Sequence, residues 1–170
     1  MTPQSSGRIV ELHRKPETPG EHGLPKRTVP SAELTKEGVA GDFNRWRHET
    51  QHDDPTMALL LMPLETLEEL NHEGWPIRPG DLGENITSSG IPYNTFAPGR
   101  RFRAGRAEIE ITKACPPCDN LYLLPYVGPD RGPSFLRVMK DRRGWYARVL
   151  REGTVRAGDP LVAEDDPPSR

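Results

Sequence analysis

Charged and apolar residues alternate over residues 108–113 (Glu-Ile-Glu-Ile-Thr-Lys), which sets Ile109 and Ile111 on one face and predicts a half-buried β-strand. A similar alternation with β-branched side chains predicts a first strand over 8–15, ended by Pro16. Residues 56–62 (Thr-Met-Ala-Leu-Leu-Leu-Met) form the most apolar run, short enough for a buried strand. The spacing then changes: Leu64, Leu67 and Leu70 fall near helical intervals, Pro63 suits a first helical turn and Gly74 a stop, so a helix is predicted over 64–72. Residues 99–113 read as a hairpin turning at Ala104-Gly105. A short helix capped by Ser134 is predicted over 134–140, and a strand over 145–151. Gly153 turns the chain into a last hairpin arm over 154–163. Between these elements lie a glycine- and proline-rich surface loop over 16–30, a short element over 35–42 closed by a glycine turn, and an apolar segment over 121–126 that ends in a Gly128-Pro129 turn.

Composition sharpens this picture. The 170 residues fit one domain, and 16 glycines with 19 prolines, widely scattered, argue for many short strands joined by turns rather than a helical bundle. We expect a flexible N-terminus over 1–7, a single domain over 8–163 and a disordered acidic, proline-rich tail over 164–170. No apolar run approaches a membrane span and the first residues lack the hydrophobic core of a signal peptide, so the expectation is a cytoplasmic protein with reduced thiols. A formal net charge of −2 gives no global pointer to nucleic acid, and neither nucleic acid nor membrane is an expected partner.

Both cysteines lie where the strand over 108–113 stops, in Cys115-Pro116-Pro117-Cys118. The prolines cannot extend a ladder, so they form a stiff turn that presents Cys118 in a fixed direction. Four readings are open. The pair is a dithiol redox site, although such motifs usually open a helix; it is half of a zinc site, although no second pair follows; Cys118 is a reactive thiolate that carries sulfur or binds a soft metal; or both residues fill space at a turn. His48-Glu49-Thr50-Gln51-His52 matches the H-E-x-x-H of zinc proteases, but residues 44–54 offer only Trp46 as a bulky apolar side chain, and a solvated loop is expected there. Gly80 and Gly83 permit a tight path that sets Glu84 and Asn85 at the start of a strand, to grip a ligand or brace a loop. Arg100, Arg101, Arg103, Arg106 and Lys113 form either a solvated sheet face or a site for a phosphate.

In order along the chain, Gly41-Asp42, Gly80-Asp81-Leu82-Gly83-Glu84-Asn85-Ile86-Thr87, Pro117-Cys118, Gly144-Trp145-Tyr146-Ala147-Arg148-Val149 and Gly158-Asp159 resemble the MOSC domain family, over roughly residues 8–162. The resemblance implies a mostly β fold, a MOSC-type β-barrel with a few short helices. It also implies binding of the molybdenum cofactor (molybdopterin) in some members, and one functional cysteine, here Cys118, as molybdenum ligand or sulfur carrier. Cys115 stands where the family commonly has an arginine, which makes it a candidate redox partner. Neither the aminotransferase-like domain of the fused sulfurases nor its pyridoxal phosphate is expected. The resulting expectation is a reductase of N-hydroxylated small molecules served by an external electron donor, with Cys118 as catalytic residue and metal ligand, and Glu84, Asn85, Arg100, Arg101, Lys113 and Asp119 around the cofactor. The alternatives are a carrier holding a Cys118 persulfide between a sulfur donor and an acceptor protein, and a thiol sensor using both cysteines.

Overall fold

A computed structural model describes residues 5–165 of the chain. Its elements run β1 (Ser6–Arg14), β2 (Arg27–Val29), β3 (Ser31–Thr35), β4 (Gly38–Val39), α1 (Arg45–Gln51), β5 (Leu59–Pro63), α2 (Leu64–His72), β6 (Ile86–Ser89), β7 (Arg101–Ala104), β8 (Ala107–Ala114), α3 (Gly128–Met139), β9 (Trp145–Arg151), β10 (Gly153–Arg156) and β11 (Pro160–Ala163). Strands follow one another around a closed barrel in the order β11, β7, β8, β9, β5, β6, β1, and β1 pairs back onto β11 through Ser6 with Val162 and Gly7 with Leu161. Closure removes the exposed edges that an open sheet would leave. All the pairings are antiparallel except β5 with β6, which α2 joins by a crossover. A small sheet of β10, β3 and β4 packs beside the barrel.

The two-residue period does what it predicts in β8, where Ala107, Ile109 and Ile111 are buried and alternate with more accessible residues. With Phe102, Leu59, Leu61 and Ile9 they fill the barrel. β5 is buried along its whole length because its faces serve different cores. Leu59 and Leu61 enter the barrel, Met62 joins an outer cluster with Leu67, Leu70, Trp75 and Phe135, and Leu60 packs with Met57, Cys115 and Tyr146. α2 forms over the expected residues, and the left-handed Gly74 (φ 96°) follows its end. No helix among the described residues is long and apolar enough to cross a membrane.

Four expectations need correction. Residues 45–51 form a helix rather than a loop. It needs no apolar stripe, because Asn44 caps it and the buried Arg47 donates to the carbonyls of Glu37, Asp53 (3.0 Å) and Asp54 (2.9 Å). α3 begins at Gly128, not Ser134: Pro129 is pre-set for a first helical turn, and Gly132 lets the helix lie against the ring of Tyr122, where a Cβ would come within 2.3 Å. Residues 154–163 are not one hairpin arm, since β10 pairs with β3 and β11 closes the barrel. At the N-terminus, Ser6 and Gly7 belong to β1, and a Cβ on Gly7 would meet Ser89 O at 2.1 Å. The tail expectation falls mostly outside the described residues, although Glu164 N–H still donates to Arg101 O at 2.9 Å.

Candidate functional site

β8 ends at Ala114, and the next amide, Cys115 N–H, is tied to Gly144 O at 2.9 Å at the start of β9. Pro116 and Pro117 then carry the chain stiffly to Cys118, whose extended backbone (φ −142°, ψ 167°) precedes a short 3-10 turn, Asp119–Leu123. Leu121 anchors that turn in the outer core. Both cysteines are free thiols; Cys118 is exposed and Cys115 is buried. The Cys115 Sγ lies 3.7 Å from Pro116 O and packs against Tyr146, whose hydroxyl is held well above the usual phenol range by burial and by that thiol.

Both thiols line one cavity of about 310 Å³, at the lower end of the span of roughly 300–1,000 Å³ typical of small-molecule sites. Leu60 and Leu82 give it an apolar wall, and His22, Gly23, Leu24 and Lys26 of the loop after β1 form another. Phe43, Asn44, Arg45 and Trp46 at the head of α1, with Asp119, Asn120 and Leu123 beside Cys118, add to the lining. Trp46 and Leu123, 42% and 43% exposed, stand at its mouth. The loop over 16–30 is therefore in part a cavity wall. It is fixed by Lys26, whose backbone amide donates to Gly80 O at 2.9 Å and whose ammonium pairs with Asp42 at 2.5 Å.

The glycine-rich motif braces this wall. Gly80 and Gly83 have left-handed backbones (φ 91° and 80°), and a Cβ on Gly83 would sit 2.5 Å from Leu24 Cδ2. Asn85 receives the Leu60 amide on its Oδ1 at 3.1 Å and donates through Nδ2 to Asp42 Oδ2 at 2.9 Å. Asp42 also accepts from the Lys15 amide at 2.8 Å, so one carboxylate joins β1, the loop wall and the start of β6. Glu84 lies fully buried behind the cavity, its Oε1 accepting from Gly80 N–H at 2.6 Å and its Oε2 without a partner. Burial raises its carboxyl above the usual range, opposed by the Gly80 amide and by Arg143. Of the two roles open to Glu84 and Asn85, bracing is the one their contacts show.

Arg143 is the residue that sequence reasoning missed. It lines the cavity, is only 6% exposed, and has two buried nitrogens, Nε and Nη1, with no hydrogen-bond partner. Lys26, Arg45, Trp46 and Tyr146 were missed as well, because only the fold brings their segments to the thiols. Of these segments, the sequence marked 16–30 as a glycine- and proline-rich surface loop and Gly144-Trp145-Tyr146, next to Arg143, as part of the family resemblance.

The predicted arginine cluster is not at the cavity. Arg100, Arg101 and Lys113 are absent from its lining, as are Arg103 and Arg106. In β7 and β8 the apolar partners Phe102, Ala104, Ile109 and Ile111 take the inner face, so the charges between them point outward. There Arg101 pairs with Glu110 at 3.0 Å and Lys113 with Asp54 at 3.7 Å, as on a solvated sheet face. Asp119 does line the cavity. The H-E-x-x-H histidines do not share a helix face, since His52 is the left-handed C-cap of α1 (φ 50°) and His48 Nδ1 is paired with Asp53 at 2.9 Å. No group of three or more His, Cys, Asp or Glu suited to a metal occurs among the described residues.

Comparison with known proteins places the fold. None of the curated proteins matches the chain. Among solved structures, the YuaD protein from Bacillus subtilis superposes with a TM-score of 0.78 at 19% identity, covering 98% of this chain and 100% of that one. YiiM from Geobacillus stearothermophilus gives 0.70 at 24% identity, covering 94% of this chain and 75% of its own. YiiM from Escherichia coli gives 0.66 at 20% identity, with 96% and 70% covered. The family model of the MOSC domain matches residues 48–162, more than half of the sequence and the part that carries both cysteines, Gly80–Thr87 and Arg143, and the chain therefore belongs to the MOSC domain family.

Proposed function

We propose that the cavity holds a molybdopterin-type cofactor with Cys118 as the protein's sulfur ligand to molybdenum, in a reductase of N-hydroxylated small molecules that draws on an external electron donor. The observation that carries this reading is the exposed Cys118 thiol opening into a cation-bearing cavity of small-molecule size, in a chain of this family. The donor set fits the group. A thiolate is a soft ligand suited to such a metal, Asn44, Asp119 and Asn120 offer polar contacts to a heterocycle's edge, and Arg143 has nitrogens to give. When bound, the cofactor would supply a redox-active metal with a position open to a substrate oxygen. The chain's own part is to fix the sulfur through the Pro116-Pro117 turn and exclude water with Leu60 and Leu82. It also presents Arg143 to an anionic ligand.

The test is metal content. Protein from a molybdenum-replete host should carry about one molybdenum per chain, lost in Cys118→Ala and kept in Cys115→Ala. Retention of molybdenum by Cys118→Ala would sink the ligand assignment. A second reading, a sulfur carrier, is favoured by the exposure of Cys118, where an acceptor protein can reach it. That reading predicts cyanide-labile sulfur on Cys118 and no molybdenum.

A further inference from the structure

We infer that Arg143 is the anion anchor of the cavity: its guanidinium receives a phosphate-type oxyanion of the molecule bound beside Cys118. A guanidinium this far from water normally has its donors filled, because taking a charged group out of solvent without partners is costly. Arg143 is 6% exposed, and its Nε and Nη1 have none. The other cations of the lining are already engaged. Lys26 is paired with Asp42 at 2.5 Å, and Arg45 lies at the rim with Glu49 at 3.3 Å and the ring of Phe43 at 5.7 Å.

The surroundings leave the hydrogen bonds of Arg143 unspent. Glu84 interacts with it electrostatically, but no ion pair forms between them; the carboxylate spends Oε1 on Gly80 and Thr87 and leaves Oε2 unpartnered. A guanidinium that lines the cavity with its donors unspent is suited to an oxyanion, which it recognises with paired hydrogen bonds. Its position is also prepared. The next residue, Gly144, is held on both sides, its N–H donating to Tyr93 Oη at 2.9 Å and its carbonyl accepting from Cys115 N–H at 2.9 Å. Gly144 has φ 105°, and a Cβ there would lie 2.7 Å from Leu61 O, so the chain is seated against β5 at this point. The backbone that aims the guanidinium is thus the one that carries the cysteine turn.

The inference deepens the cofactor reading, because molybdopterin bears a phosphate monoester, yet it is tested on chain made in a host unable to synthesise molybdopterin. Inorganic phosphate is titrated at constant pH and ionic strength against chloride, and the rate of Cys118 alkylation by iodoacetamide is followed by mass spectrometry. Phosphate should slow alkylation saturably in the wild type. In Arg143→Gln the half-saturating concentration should rise by ~tenfold or more, and Arg143→Met, which leaves no unpaired donor, serves if the glutamine variant does not fold. Arg100→Gln, outside the cavity, should behave as wild type. Unchanged protection in a folded Arg143 variant, or no protection in the wild type, overturns the inference. In cofactor-loaded protein, a fall in molybdopterin content of Arg143→Met assigns the phosphate to the cofactor, whereas full content with a raised KM assigns it to the substrate; each supports the anchor. Absence of molybdenum from every preparation refutes the cofactor reading and leaves the phosphate result standing.

Discussion

Acidification should weaken this fold through one buried histidine. His13 is 1% exposed, under the Gly80 turn that braces the cavity wall, with Nε2 3.0 Å from Thr87 Oγ1 and Nδ1 3.4 Å from Thr28 Oγ1. Thr87 gives its own proton to Glu84 at 3.3 Å, so it accepts from His13 Nε2–H, and Nδ1 is left unprotonated beside Thr28 Oγ1, whose one proton is shared with Glu11 Oε2 at 3.4 Å. That arrangement suits a neutral ring. Burial, seconded by the Lys26 ammonium, lowers the His13 pKa from 6.5 to about 4. Glu11, 3.8 Å away, favours the charged ring, but its side chain is 38% exposed and screened by water, so burial prevails. Above pH 6.5 the ring is neutral whether the chain is folded or not, and the site costs nothing. Below it the unfolded chain takes up a proton that the fold refuses, so stability falls with pH until about pH 4 and then levels off. At ~1.4 kcal/mol per pH unit the full interval corresponds to roughly 3 kcal/mol, of which about 2.5 kcal/mol is lost by pH 4.5. Glu84 acts in the opposite sense, its raised pKa favouring the fold as it protonates, and a comparison between variants removes its contribution. Urea unfolding of wild type and His13→Gln at pH 7.5 and 4.5 measures the difference, since the amide keeps a donor for Thr87 and cannot ionise. Wild type should lose about 2.5 kcal/mol more than His13→Gln over this range. Parallel losses would refute a neutral buried ring.

Two further outcomes follow from the polar braces. Asn85→Ala removes the buried acceptor of the Leu60 amide and the part-buried donor to Asp42, and should cost about 2–3 kcal/mol in urea unfolding while hastening proteolysis within residues 16–25; unchanged cleavage would show that Asp42 and Lys26 hold the wall unaided. Arg47→Met leaves three carbonyls without their donor and should cost about 2–4 kcal/mol, read as a lower Tm with loss of helical signal from α1. A variant as stable as wild type would mean that water replaces the guanidinium.

What the sequence disclosed and what it hid divide along the range of the interactions. Local periodicity was sufficient for β8 and α2, whose burial follows their two- and 3.6-residue repeats, and β propensity for β9. The order of glycine motifs and Pro117-Cys118 pointed to the family, and the cysteine turn took the predicted place at the end of a strand. α1 escaped because the group that holds it is charged: Arg47 bonds to carbonyls outside the helix, and no apolar stripe marks that. Arg101 and Arg103 of β7 were drawn to the cysteines by nearness in sequence, whereas the pleat turns them away. Arg143 is twenty-five residues beyond Cys118 along the chain, and only the pairing of β8 with β9 brings it back to the thiol.

β5 shares its backbone between the interior of the barrel and the wall on which a ligand would rest, Leu59 and Leu61 looking one way and Leu60 the other. The hollow thereby inherits the rigidity of the barrel on that side, and remodelling Leu60 from below means disturbing the whole cylinder. Adaptation to a differently shaped guest is cheaper at the opposite lip, where Trp46 and Leu123 can be exchanged without touching a single ladder bond. Diversification among proteins built this way should accordingly accumulate at the entrance, while the sulfur stays where the prolines put it.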